Sequence, residues 1–165
     1  MTQAATQALL SGVNNSVSSL IVNAGVNDTF KIKVDGVLSS DITLTAGSYA
    51  SGDELAKEIQ AQINGNENIR SKDAKVSVSY DSANNRMLIA SQSFGSKSTV
   101  EITQSNASDL GLAAAVGTTG SDVAGTIGGI DADGEGQYLT ATNGLKLFVE
   151  GVSVGIWGQL ISPEA

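Results

Sequence analysis

Phe30-Lys31-Ile32-Lys33-Val34, followed at once by Asp35-Gly36, is the stretch that decides the fold. Apolar and polar residues alternate strictly there, the period of a strand with one buried face, so Phe30, Ile32 and Val34 point inward. Asp-Gly is among the dipeptides that most readily supply the positive φ angles of a tight hairpin turn. Ile42-Thr43-Leu44-Thr45 alternates again and can return alongside. Ser51-Gly52-Asp53-Glu54 then has capping-box spacing, in which hydroxyl and carboxylate each satisfy a free backbone N–H. Behind it Leu55, Ala56, Ile59 and Ile63 form one apolar stripe. The spacing predicts a helix over 53–64, stopped by Asn64-Gly65-Asn66.

Outward from this centre, Val76 to Tyr80 alternates, Asp81 to Asn85 is turn-forming by composition, and Met87 to Ala90 comes back. Thr99 to Thr103 adds a further antiparallel strand, and Ser108 to Leu112 reads as one capped helical turn. The expected fold is therefore α+β and β-rich: an antiparallel sheet with one packed helix (53–64), followed by a second small β unit. Residues 1–29 are weakly patterned and read as an entry segment, with a short helical turn over Thr6 to Val13 and a strand over Ser18 to Val22. Residues 30–112 form the α+β domain, 113–121 have linker composition, and 122–165 form the second β-rich unit, an incomplete one. In that unit Thr126-Ile127 and Gly128-Gly129 lead through a loop, Ile130 to Gln137, into Tyr138-Leu139-Thr140, and Leu145 to Val149 is a further strand.

Composition narrows the function. The chain has 165 residues, 41% of them hydrophobic but only 4% aromatic, so its core must be aliphatic. Its net charge of −8 repels phosphate backbones and anionic lipid, so neither nucleic acid binding nor membrane insertion is expected. No apolar run has the length to span a bilayer, and Met1 to Ala5 lacks the basic start and apolar centre of a secretion signal. The chain contains no His and no Cys. That removes the commonest general base, the thiolate nucleophile and the usual transition-metal ligands. Ser, Thr and Asn supply 44 residues and Gly another 19, which suits turn-rich β-structure with a polar exterior.

Three local patterns resemble known sites. Gly151-Val152-Ser153-Val154-Gly155 matches the string of a nucleophile elbow, but Ser153 has no histidine to take its proton, and no Ser lies three residues before a Lys. Asp131, Asp133 and Glu135 begin like a calcium loop, yet the sequence runs on to Gln137, Tyr138 and Leu139 where the closing bidentate acid belongs. Ile156, Trp157, Leu160 and Ile161 form an apolar cluster that reads as a last core strand. No catalytic, metal or cofactor site is expected, and the chain is not expected to be an enzyme.

The string from Phe30 to Gly36, Ile42 to Tyr49 and Leu55 to Asn64, continued by Val76 to Ser91 and Asp109-Leu110-Gly111-Leu112, resembles the flagellin hook IN motif. Asp122 to Gly129, Gly134 to Gln137 and Leu139-Thr140 resemble the stretch after that motif in flagellar filament-capping proteins (hook-associated protein 2). The resemblance covers about residues 30–149 and does not extend past Val149. It implies a secreted structural protein of the bacterial flagellum, the outward middle domains of the cap at the filament tip. Its implied partners are flagellin, further copies forming a ring in the full-length protein, and host-surface glycan or mucin. Two other readings stand beside it: the outer variable domain of a flagellin, and an adhesin or glycan-binding module using Tyr49 and Tyr138.

Overall fold

The computed structural model of the chain describes residues 2–150. Strands β1 (Gln7–Ser11), β2 (Ile21–Val22), β3 (Thr29–Val34), β4 (Val37–Leu38), β5 (Ile42–Thr43) and β6 (Gly47–Ser48) lead into helices α1 (Gly52–Gly65) and α2 (Glu67–Ser71). Then come β7 (Val76–Asp81), β8 (Arg86–Phe94), β9 (Val100–Ser105) and β10 (Ala115–Val116). The last strands are β11 (Gly125–Ile127), β12 (Ile130–Glu135), β13 (Tyr138–Ala141) and β14 (Lys146–Phe148).

The expected fold class needs correction. Instead of one antiparallel sheet with one packed helix, the strands form a three-stranded sheet β1-β8-β7, a five-stranded sheet β10-β9-β3-β4 with β5 also on β3, a β2–β6 ribbon, and a four-stranded sheet β11-β12-β13-β14. Among the described residues helix is confined to 14 residues in α1 and five in α2, a second helix that the apolar stripe did not announce. Thr6 to Val13, read as a helical turn, instead supplies β1, which pairs antiparallel with β8. Ser108 to Leu112 forms turns instead of a helical turn, with Leu110 bridged to Val17 and both Leu110 and Leu112 buried. The sheet arrangement and the strand at Thr6 to Val13 share one physical reason. Alternation fixes which face of a strand is buried but not which strand lies beside it, and β8 takes one partner from the adjacent hairpin and one from the far N-terminal segment.

The hairpin turn forms where the sequence puts it. Asp35 and Gly36 both have positive φ (51° and 83°), and Val34 pairs with Val37 across the two-residue loop. The return is split, however. After β4 the chain bulges at Ser39, whose hydroxyl accepts from Ile32 N, and β5 then rejoins the other end of β3. The Asp35 carboxylate accepts bonds from the Ser91 and Ser93 hydroxyls and from Thr99 N–H, tying the turn to β8 and to the start of β9.

Residues 115–118 stitch the five-stranded and three-stranded sheets together. Ala115 and Val116 pair with β9, while Thr118 exchanges backbone bonds with Leu9 of β1. Helix α1 covers what would be the open edge at β7. Val78 N–H donates to Gln60 Oε1, and Asn64 both accepts from Val76 N–H and donates to Val76 C=O, each at 2.9 Å. On its other side Glu58 accepts from Thr45 N–H just after β5, and Asn68 of α2 reaches Leu38 of β4. The helical segment thereby satisfies backbone groups on both sides of the gap, one of the ways proteins blunt an edge strand. Leu55, Ile59, Ile63 and Ile69 enter a core with Phe30, Ile32, Val76, Met87, Ile89 and Ile102, all essentially without solvent exposure.

Candidate functional site

The strands β11 to β14 meander, so alternate side chains face opposite ways. On the inner face Leu139 and Val149 pack with Val123, joined by Ala5 from the N-terminal segment. On the outer face Glu135, Tyr138 and Phe148 form one cross-strand row, and Asp133, Thr140 and Lys146 form the next. The Tyr138 and Phe148 rings lie 5.2 Å apart and are tilted, within the range of favourable aromatic pairs. Lys146 Nζ sits 4.5 Å over the Tyr138 ring, a cation–π contact. Phe94, Lys97, Asp122, Glu135, Gly136, Tyr138 and Lys146 line an open groove of about 330 Å³, at the lower end of small-molecule pocket volumes.

Asp122 is the pivot of this region. Its carboxylate accepts the Gly136 and Ser96 backbone N–H groups at 2.7 and 3.0 Å. The Ser96 hydroxyl, followed by those N–H groups, holds its pKa below the usual carboxylate value. Lys97 and Glu135 close the same junction as an ion pair at 2.7 Å, the hydrogen bond raising the lysine pKa and lowering the glutamate's. Both side chains are more than 70% exposed, so the pair orients the loop more than it stabilises it. A Cβ on Gly134 would lie 1.6 Å from Val123 O, so only glycine lets β12 come this close to the segment beside it. Sequence reasoning missed this junction because Asp122 meets Ser96 and Gly136 through folding alone, with no spacing to mark it.

The structure disperses the residues weighed as sites. Asp131, Asp133 and Glu135 are not in a loop but on one exposed face of β12, where side chains two residues apart stand roughly 6.5–7 Å from each other. Among the described residues no group of three such ligands converges on a point. Tyr49 is half-buried against the main core and donates its hydroxyl to Thr45 C=O at 2.6 Å; burial, then Glu58, raises its pKa. Tyr138 remains 43% exposed. Ser153 and the Ile156, Trp157, Leu160 and Ile161 cluster lie outside the described residues.

A second feature joins the N-terminal segment to residues 118–124. Thr2 N–H donates to Ala124 C=O, Ala124 N–H to Gln3 C=O, Thr6 N–H to Ser121 C=O, and Leu9 and Thr118 bond reciprocally. The Thr6 and Ser121 hydroxyls are 2.8 Å apart, and Ser121 N–H donates to Thr6 Oγ1. Residues 2–9 and 118–124 thus run antiparallel, side by side, as a two-stranded neck. Among the described residues no helix is long and apolar enough to cross a membrane.

A family model described as E217 tail sheath protein gp31, insert domain, matches residues 5–130. Comparison with curated proteins gives no match, and neither does comparison with solved structures. The family match overturns the flagellar resemblance. The filament cap, the outer flagellin domain, the adhesin reading and the place at a filament tip all give way to a phage tail sheath protein. The misleading residues are real structural signals: Phe30 to Gly36 is a hairpin, Ser51 caps a helix and Leu55, Ile59 and Ile63 are buried. They are what any hairpin followed by an amphipathic helix requires, so they report local fold and not descent. The chain belongs to the family of the E217 tail sheath protein gp31 insert domain.

Proposed function

We propose that this chain is a structural insert carried by a phage tail sheath subunit, projecting from the virion tail and performing no catalysis. The observation that carries the reading is the neck. Residues 2–9, around the start of the matched range, hydrogen-bond along residues 118–124, a few residues before its end at 130. A domain whose ends are adjacent can be inserted into another fold without distorting it, which is why insertions succeed at such sites. The absence of His and Cys, together with the Lys97–Glu135 pairing and the hydrogen-bonded Asp122, supports a non-enzymatic role.

Its partners are the remainder of the sheath subunit and neighbouring copies in the tail, with no nucleic acid, membrane or cofactor. The acidic charge keeps isolated copies of the domain apart. The test is excision. In the sheath protein that carries this chain, residues 7–120 are replaced by an Asn-Gly turn joining Thr6 to Ser121. The shortened subunit is expected to fold and polymerise into tubes of smaller outer diameter by electron microscopy. A subunit that no longer folds or polymerises would overturn the reading.

A further inference from the structure

We propose that Asn143 is a site of spontaneous covalent modification, an amide that converts to aspartate and isoaspartate in the folded protein. The chain contains two Asn-Gly pairs, Asn64-Gly65 and Asn143-Gly144, and the structure treats them oppositely. The reaction is intramolecular. Gly144 N, losing its proton to a base from solvent, bonds to Asn143 Cγ and forms a five-membered imide. The Cγ–Nδ2 bond breaks, and the amide leaves as ammonia. Water then opens the ring at either carbonyl, giving aspartate or isoaspartate; overall one water is consumed and one ammonia released. Glycine as the attacking residue has no Cβ to obstruct the approach.

At Asn143 the geometry favours each step. The residue is exposed in the turn between β13 and β14, and the space beside Gly144 is open, with no atom within 4 Å of where a Cβ would stand. Leu145 N–H donates to Asn143 Oδ1 at 3.0 Å, which polarises the carbonyl under attack. The departing Nδ2 has no protein partner among the described residues. One bond in a solvated turn, from Gly144 N–H to Ala141 C=O, must open. At Asn64 everything opposes it. The backbone is helical, Nδ2 is held by Val76 C=O, and Oδ1 is held by Val76 N–H. Conversion at Asn143 adds a negative charge, and the isoaspartate product inserts a backbone methylene into the turn. Both weaken the hold on β14, whose Leu147, with neighbouring Val149, is buried in the second unit.

The chain is incubated in mildly alkaline buffer at physiological temperature, alongside a urea-unfolded sample, and both are digested and sequenced by tandem mass spectrometry. In the native chain Asn143 is expected to convert at least about tenfold faster than Asn64, a barrier difference of about 1.4 kcal/mol. In the unfolded chain the two rates should converge. Asn143→Gln should remove the more acidic species seen on anion exchange. Should that variant perturb the hairpin, the rate comparison in the unaltered chain still decides. Native Asn64 converting as fast as Asn143, or native Asn143 staying intact while the unfolded chain reacts, would overturn the proposal.

Discussion

Asn64→Ala tests whether α1 truly substitutes for a missing strand beside β7. Asn64 offers Val76 one acceptor and one donor, both at 2.9 Å, the pattern a neighbouring strand would present. Val76 is fully buried, so its N–H cannot turn to solvent once the side chain is gone. An unsatisfied buried donor costs about 1–3 kcal/mol. The carbonyl loses less, because Gln92 Nε2 also approaches it at 3.4 Å. Alanine's better helix propensity returns up to about 0.7 kcal/mol. The expected net loss is about 1–2 kcal/mol, or roughly a 0.5–1 M fall in urea midpoint for a domain of this size. Asn68→Ala is the control, since its bond to Leu38 C=O is long (3.4 Å) and exposed. Equal midpoints for the two variants would refute the edge-covering argument.

Gly36→Val should cost about 1 kcal/mol or more through backbone strain alone, since φ is +83° and no atom stands within 4 Å of a new Cβ; an unchanged urea midpoint would contradict it. Asp122 has a folded pKa depressed below 3.8, so its contribution is present above that value and is lost as pH falls through the folded pKa. Acid titration followed by NMR should show the Ser96 and Gly136 amides shifting below about pH 4, and the transition should vanish in Asp122→Asn. No calcium affinity in the micromolar range is expected at Asp131, Asp133 or Glu135, and calorimetric binding abolished by Asp133→Ala would show otherwise. The isolated chain should sediment as a folded monomer at micromolar concentration; a stable ring in analytical ultracentrifugation would place assembly surfaces within it.

What was legible in the sequence is what depends on neighbours in the chain. The Asp35-Gly36 turn, the Ser51 cap and the stripe of α1 all need only residues within one or two turns, and all three formed. Even so the capping box is half made: Ser51 accepts from Glu54 N–H, but the Glu54 carboxylate turns to Lys57 instead of back to the cap. The errors fall where a distant partner overrides local preference. Ala8-Leu9-Leu10 favours a helix by propensity, yet β8 offers it a ladder and a buried face for Ala8 and Leu10. Asp131 to Glu135 has loop composition, yet β11 and β13 flank it and draw it into a sheet.

The same asymmetry explains why the functional reading went astray while much of the local structure held. The features on which the proposed insert role rests are long-range: Thr6 against Ser121, Gln3 against Ala124, Asp122 between Ser96 and Gly136. None leaves a motif, because a hydroxyl or a carboxylate meeting a backbone N–H across the fold needs no particular neighbours in sequence. Gly134 comes nearest to a local sign, since only a residue without Cβ fits against Val123 C=O, but a glycine in so glycine-rich a chain does not announce which contact requires it. The hairpin and the helix say how residues 30–65 fold. The neck exists only once residues 2–9 have met residues 118–124, far apart in the sequence.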